Sequence, residues 1–206
     1  MQQEEIREQQ RETWNKFSSG WKKQDDFVTE WLRPIGDKII ELAALKDDYC
    51  ILDVATGTGE PGLAAAKMSD SYKVIGTDIA EHMVKIAKEK ARIMELKNYD
   101  AHVCNETSLP FDDNYFDAVV CRFGIMYFPD MLAGLREMSR VLKQGGILSL
   151  SAWSEKEKNP WATTAGKIVH DMLELPQQPA DAPGIFRCAQ PKTLTALLKQ
   201  AGMQNI

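Results

Sequence analysis

No surplus of positive charge runs through this sequence. Lys and Arg number 25 against 30 Asp and Glu, giving a net charge of −5. A phosphate backbone attracts a basic surface, so nucleic-acid binding is not the expected activity. No run of apolar residues approaches the roughly 18 needed for a membrane-spanning helix. Residues 1–12 are rich in Gln, Glu and Arg and lack the apolar segment of a secretory signal. A cytoplasmic setting is therefore expected. Cysteine is scarce. Cys50, Cys104, Cys121 and Cys188 form no C-x-x-C pair, and His82, His102 and His170 show no metal-ligand spacing. Neither a disulfide framework nor a metal site is expected.

The rest suffices for one sizeable core: 206 residues, 44% hydrophobic and 27% charged, where a domain typically takes roughly 100–200 residues. Residues 3–46 read as helical, with Gly20 and Pro34 as the expected breaks. Within this block Trp14, Phe17 and Trp21 share a helical face, and the block's three tryptophans, Trp14, Trp21 and Trp31, serve either as core or as a lid over a ligand. From residue 49 the period changes. Residues 49–55 are apolar at nearly every position except Asp53, as in a central parallel strand. Further strands are expected over 73–76, 101–104, 116–121 and 147–152. Helices over 62–68, 80–96 and 131–142 alternate with them, and Gly145-Gly146 is expected to end the last. Such alternation specifies βαβ units, an α/β fold with a doubly wound parallel sheet and helices on both faces. Two more helices are expected over 161–175 and 191–200, and residues 203–206 read as the start of another strand. The chain thus divides into a helical cap over 1–46, a core over 47–153 and a substrate-side segment over 154–206. The abrupt final strand leads to the expectation that the natural chain continues past Ile206. An uncovered fifth strand would favour a homodimer.

Gly57-Thr58-Gly59-Glu60-Pro61-Gly62 forms a G-x-G-x-x-G motif directly after the first expected strand and at the opening of a helix. Glycines there permit a tight turn and close approach of backbone to ligand, although an ordinary strand-to-helix turn uses them too. Asp78 ends the second strand, where a carboxylate can accept both hydroxyls of a ribose or cap the next helix. A dinucleotide would bring a pyrophosphate, which favours a helix N-terminus free of negative charge. Glu60 in the loop and Asp53 just before it would repel that group. They suit a ligand carrying positive charge and no phosphate, such as S-adenosylmethionine. The Lys-Ser or Lys-Thr pair of a nucleotide-hydrolase loop is absent as well.

The segment ILDVATGTG over 51–59 resembles the first motif of the class I S-adenosylmethionine-dependent methyltransferases. Gly76-Thr77-Asp78-Ile79 with Met83 is similar to their second motif. Leu109-Pro110-Phe111, the run FDAVVCRFG over 116–124 and the run LREMSRVLKQGG over 135–146 extend the likeness, which covers residues 14–206. The nearest group is the one containing the ubiquinone and menaquinone C-methyltransferases. The resemblance implies a Rossmann-like sheet in the order 3-2-1-4-5, with a sixth strand only begun and a seventh missing. It implies that Ala55, Thr56, Gly57 and Gly59 line the methionine half of the cofactor, with Asp53 supporting the loop and reaching the ammonium through water. Asp78 would hold the ribose hydroxyls, and Ile79 and Met83 would flank the adenine. Asn105 would face the adenine amino group, with Glu106 beside it and its side chain toward solvent. Arg122 and Phe123 would lie near the sulfonium, Arg122 turned toward the cofactor's carboxylate or another acid.

Methyl transfer is a displacement at a carbon the sulfonium has already activated, and the leaving group is neutral. Alignment and exclusion of water are its main requirements. The sequence accordingly assigns no catalytic residue. Tyr127, after the fourth strand, and His170, in the 161–175 helix, are candidates for facing the acceptor; packing and surface exposure are their plain alternatives. Trp14, Trp21, Phe123, Met126, Tyr127, Trp153, Trp161 and Phe186 are expected to build an acceptor pocket for a small apolar or amphipathic molecule. A quinone-biosynthesis C-methyltransferase is the narrower version of this reading. A truncated, non-catalytic cofactor-binding module and a nicotinamide oxidoreductase are its rivals.

Overall fold

The computed structural model describes residues 3–174, 179, 181–190 and 192–206. Its centre is a five-stranded sheet of β1 (Cys50–Val54), β2 (Lys73–Asp78), β3 (Tyr99–Val103), β4 (Phe116–Arg122) and β5 (Leu142–Ser151). Every neighbouring pair is parallel, and the order is β3-β2-β1-β4-β5. The winding reverses between β1 and β4, so a crevice opens at the C-terminal ends of these two strands.

Side-chain alternation gives each face its own core. Leu52 and Val54 of β1, with Val119 and Cys121 of β4, meet Leu135 and Met138 of α5 (Met131–Val141) and Leu197 of α7 (Thr193–Gln200). Ile51 and Val74 face the other way, onto α3 (Gly62–Met68) and α4 (Glu81–Ile93) through Leu63, Val84 and Ala87. Ala118 and Val120 join that second face and pack on Ile39 and Ala43 of α2 (Asp25–Ala43). The helix α1 (Gln3–Lys23) precedes α2 and leans on α4. The helix α6 (Pro160–Met172) follows β5.

Several boundaries differ from the sequence expectation. Neither Gly20 nor Pro34 breaks a helix. The break falls at Gln24, and Pro34 sits inside α2. Burial of Ile39, Ile40 and Ala43 against the sheet outweighs the single backbone hydrogen bond that a proline removes. The pair Gly145-Gly146 does not end α5, because Leu142 is already extended and both glycines lie within β5. They serve an irregular insertion there: Phe116 pairs with Leu142 but Ala118 with Ile147. A side chain at Gly146 would stand 2.8 Å from the Asp117 carbonyl oxygen. Residues 203–206 form no strand, and among the described residues β5 is an edge of the sheet.

Candidate functional site

The turn after β1 is held from beneath by Asp53. This carboxylate is fully buried, and its Oδ2 accepts from the Thr56 hydroxyl at 2.6 Å and the Gly62 amide at 2.9 Å. Burial pushes its pKa up to about 7 against the pull of these donors, so the desolvation cost exceeds what the two hydrogen bonds recover. The Thr56 hydroxyl also meets the Tyr99 hydroxyl at 3.1 Å, which ties the turn to β3. Above Asp53 the chain adopts a left-handed backbone at Ala55 (φ 56°) and Gly57 (φ 54°). The glycine takes this conformation without strain and leaves open space where a Cβ would stand.

Asp78 closes the site from β2. Its Oδ2 accepts from the Gly57 amide at 2.9 Å and its Oδ1 from the Ala80 amide at 2.9 Å. It therefore welds the glycine turn to the end of β2, and each oxygen retains a second lone pair. Burial raises its pKa to about 6, opposed by these backbone donors. From β4, Phe123 also lies in the left-handed region (φ 59°). The adjacent Gly124 is needed for contact: a Cβ there would stand 2.4 Å from that of Ala55. The strained ends of β1 and β4 thus abut at the floor of the crevice.

A cavity of about 350 Å³ opens over this floor. Its lining includes the charged groups Asp78, Glu106 and Arg122, the turn residues Ala55, Thr56 and Gly57, and Ile79, Met83, Cys104 and Phe123. The remaining wall is aromatic. Phe123 and Trp153 stack at 4.4 Å and 4°. Trp31 lies 6.2 Å beyond Trp153, and Trp161 stands 5.0 Å from each of these two tryptophans. Trp14 meets Tyr127 edge-on at 5.0 Å and Trp21 at 6.0 Å. All five tryptophans of the chain line this one cavity.

Most sequence-derived site residues converge here, and the departures have physical causes. Glu106 does not point to solvent. It is buried, and its Oε1 stands 3.6 Å from Arg7 Nε of α1, which draws it inward. Asn105 is not among the cavity-lining residues, and its carbonyl oxygen accepts from the Thr107 amide at 2.8 Å and hydroxyl at 2.9 Å. Asp53 and Gly59 lie beneath the lining and act through the turn. Tyr127 lines the cavity, and burial raises its hydroxyl pKa. His170 falls in α6 with a side chain outside the described residues. Phe186 is not in the wall; Ile185 takes that place, and Lys156 lies over the Phe186 ring. The acceptor wall expected from the sequence left out Val28, Trp31 and Leu32 of α2, although Trp31 is one of the three tryptophans of the core-or-lid expectation. Val28 continues the seven-residue spacing of Trp14 and Trp21, a signal that the expected break at Gly20 obscured. Among the described residues no group of three or more potential ligands could hold a metal. Nor is any helix among them long and apolar enough to cross a membrane.

The model of the ubiE/COQ5 methyltransferase family matches residues 22–176. The chain belongs to this family. A demethylmenaquinone methyltransferase of Bacteroides fragilis is 41% identical over 113 residues, covering 53% of this chain and 45% of the relative. A homologue of that description from Bacillus cereus is 40% identical over 96 residues, covering 46% of this chain and 40% of the other. The chain thus spans less than half the length of these relatives. An S-adenosylmethionine-dependent methyltransferase from Aquifex aeolicus superposes with a TM-score of 0.62 at 25% identity, over 82% of this chain and 79% of that one. The [4+2]-cyclase SpnF superposes at 0.64 and 26% identity, over 82% and 56%.

Proposed function

We propose that this family member transfers a methyl group from S-adenosylmethionine to a small, largely apolar acceptor. The observation that carries the reading is the weld of Asp78 to the Gly57 turn at the mouth of a parallel crevice lined by aromatic rings. The residues fit the cofactor. Asp78 keeps acceptor capacity for ribose hydroxyls, Ile79 and Met83 supply apolar flanks for a purine, and Glu106 Oε1 is a buried acceptor with no hydrogen bond among the described residues. Asn105, whose carbonyl oxygen is occupied, drops out in favour of Glu106.

When bound, the cofactor supplies a methyl group on a sulfonium that departs as a neutral thioether. The chain's own part is placement. Ala55, Thr56 and Gly57 present backbone to the amino-acid half, while Asp53 and Gly59 fix the turn from below. Phe123 and Trp153 offer a flat stacked surface to the acceptor. Trp14, Trp21 and Trp161 exclude water, which strengthens every polar contact inside. Tyr127 lines the cavity beside Trp14 and is the residue we assign to orienting the acceptor. The reduced ring of a quinone precursor suits such a slot, and the demethylmenaquinone relative supports that narrower acceptor. Four free thiols fit a reducing, cytoplasmic setting, and the acidic net charge fits an acceptor other than nucleic acid.

Calorimetric titration with S-adenosylmethionine and S-adenosylhomocysteine tests the cofactor half. Binding that Asp78→Ala weakens by at least 10-fold is the expected result. A folded protein that binds neither would overturn the reading. Mass-spectrometric detection of methylated product from a panel of quinols and phenols tests turnover. Binding without turnover on any acceptor would favour a non-catalytic module, a separation worth making because the cyclase SpnF shares the architecture.

A further inference from the structure

Residues 181–190, between α6 and α7, carry Ile185 into the cavity wall. They form turns: the Arg187 amide donates to the Gly184 carbonyl at 3.1 Å and the Ala189 amide to that of Phe186 at 3.0 Å. Residues 126–129, between β4 and α5, line the same cavity, Tyr127 among them. Neither stretch belongs to the sheet, so its position depends on specific contacts. Three of these join the two stretches. The Gly184 amide donates to the Met126 carbonyl at 3.1 Å, and Cys188 Sγ meets Met131 Sδ at 3.5 Å. Arg187 spreads its guanidinium over two consecutive carbonyls, Nη1 donating to Phe128 and Nη2 to Pro129 at 3.2 Å.

A planar fork with donors in fixed directions suits two neighbouring carbonyls, whereas an ammonium is a point charge. Burial disfavours the charge of Arg187, while Asp181 and Asp130 favour it only at longer range. Asp130 is itself engaged, accepting from the Ala133 amide at 2.9 Å and from Gln3 at 3.0 Å. The Arg187 Nε is buried with no hydrogen bond among the described residues. A cation that loses water and gains only neutral acceptors contributes little net stability. What it contributes here is geometry.

We infer that Arg187 is a positioning residue for the acceptor: its clasp on the 128–129 carbonyls holds Tyr127 and Ile185 in one fixed arrangement and so shapes the acceptor end of the cavity. The inference rests on the methyltransferase reading for the nature of the ligand. The cofactor's turn at Gly57 and Asp78 belongs to β1 and β2 and shares none of these contacts.

Calorimetry on the full chain compares wild type with Arg187→Gln and Arg187→Lys after circular dichroism has matched their folds. The probes are S-adenosylhomocysteine, and 1,4-dihydroxynaphthalene added to protein saturated with it. Hydrogen exchange at the Gly184 and Gly57 amides is read alongside. Arg187→Gln is expected to weaken dihydroxynaphthalene about 10-fold or more and to hold S-adenosylhomocysteine within about twofold. Exchange at Gly184 is expected to quicken about 10-fold or more while Gly57 stays unchanged. Arg187→Lys recovers part of each loss. A purely structural tether would quicken Gly184 and leave dihydroxynaphthalene unmoved, and that result overturns the proposal. Equal losses for both ligands, or unchanged exchange at Gly184, overturn it too. A wild type that binds no S-adenosylhomocysteine defeats the methyltransferase reading, and dihydroxynaphthalene titrated alone then judges Arg187 by the same criteria. A wild type that binds no dihydroxynaphthalene under either condition overturns the role given to Arg187.

Discussion

Asp53 shows how a single carboxyl can serve structure at a cost set by pH. Its pKa rises from 3.8 to about 7 because burial outweighs the Thr56 and Gly62 donors. Between those values the folded chain holds a proton that the unfolded chain has released. Stability from this group is therefore full below the unfolded value and falls as pH rises through the folded one. Asp78 adds the same sign over a narrower window, up to about 6. Asp53→Asn retains an acceptor for the Gly62 amide and removes the titration. The variant's unfolding free energy, measured in urea at several pH values, is expected to lose a decline of order 2–4 kcal/mol between pH 4 and 7. Parallel pH profiles for wild type and variant would show that Asp53 titrates alike in both states.

At the scale of elements, α1 is attached differently from the rest. Ser18 is its one buried residue, so it contributes little apolar burial. A polar seam holds it instead. Gln3 donates to Asp130 at 3.0 Å, Asn15 accepts from the His82 amide at 3.0 Å, and Lys22 pairs with Glu89 at 2.6 Å. Exposed contacts of this kind contribute about 0–1 kcal/mol each. The more protected contact is Arg7 with Glu106, supported by Arg7 donating to Thr107 at 3.2 Å. Because Trp14 and Trp21 line the cavity from this helix, undocking α1 uncovers the ligand. Arg7→Ala is expected to raise amide hydrogen exchange across α1 by about 10-fold or more while the global unfolding free energy stays within about 0.5 kcal/mol of wild type. Uniform acceleration throughout the sheet would instead make Arg7 part of the global core.

How much of this was legible in the sequence depends on which force fixed each feature. The strands β1 and β4 could be read because both faces are buried and most residues are apolar, and β2 because its short apolar run Val74-Ile75-Gly76 is buried on both faces. The turn at Ala55-Thr56-Gly57 and the place of Asp78 at the end of β2 could be read because a turn at a crevice restricts residue type. Pro34, Gly145 and Gly146 misled because their local preferences yielded to packing on the sheet. The burial of Glu106 was not legible because its partner, Arg7, lies far away in sequence, nor was the turn in which Asn105 accepts from Thr107. Trp31 was left out of the expected acceptor wall because its place there exists only once the segment after β5 brings Trp153 alongside it.

The placement of all five tryptophans has an optical consequence. Indole emission from this protein originates at the walls of one chamber, with no distant ring to dilute it. An unlabelled sample excited near its absorption edge therefore reports on that chamber alone. A purine or quinol entering it is expected to shift or quench most of the emission, and rapid mixing would time each arrival and departure. A saturating ligand that left the spectrum unmoved would have to sit elsewhere on the molecule.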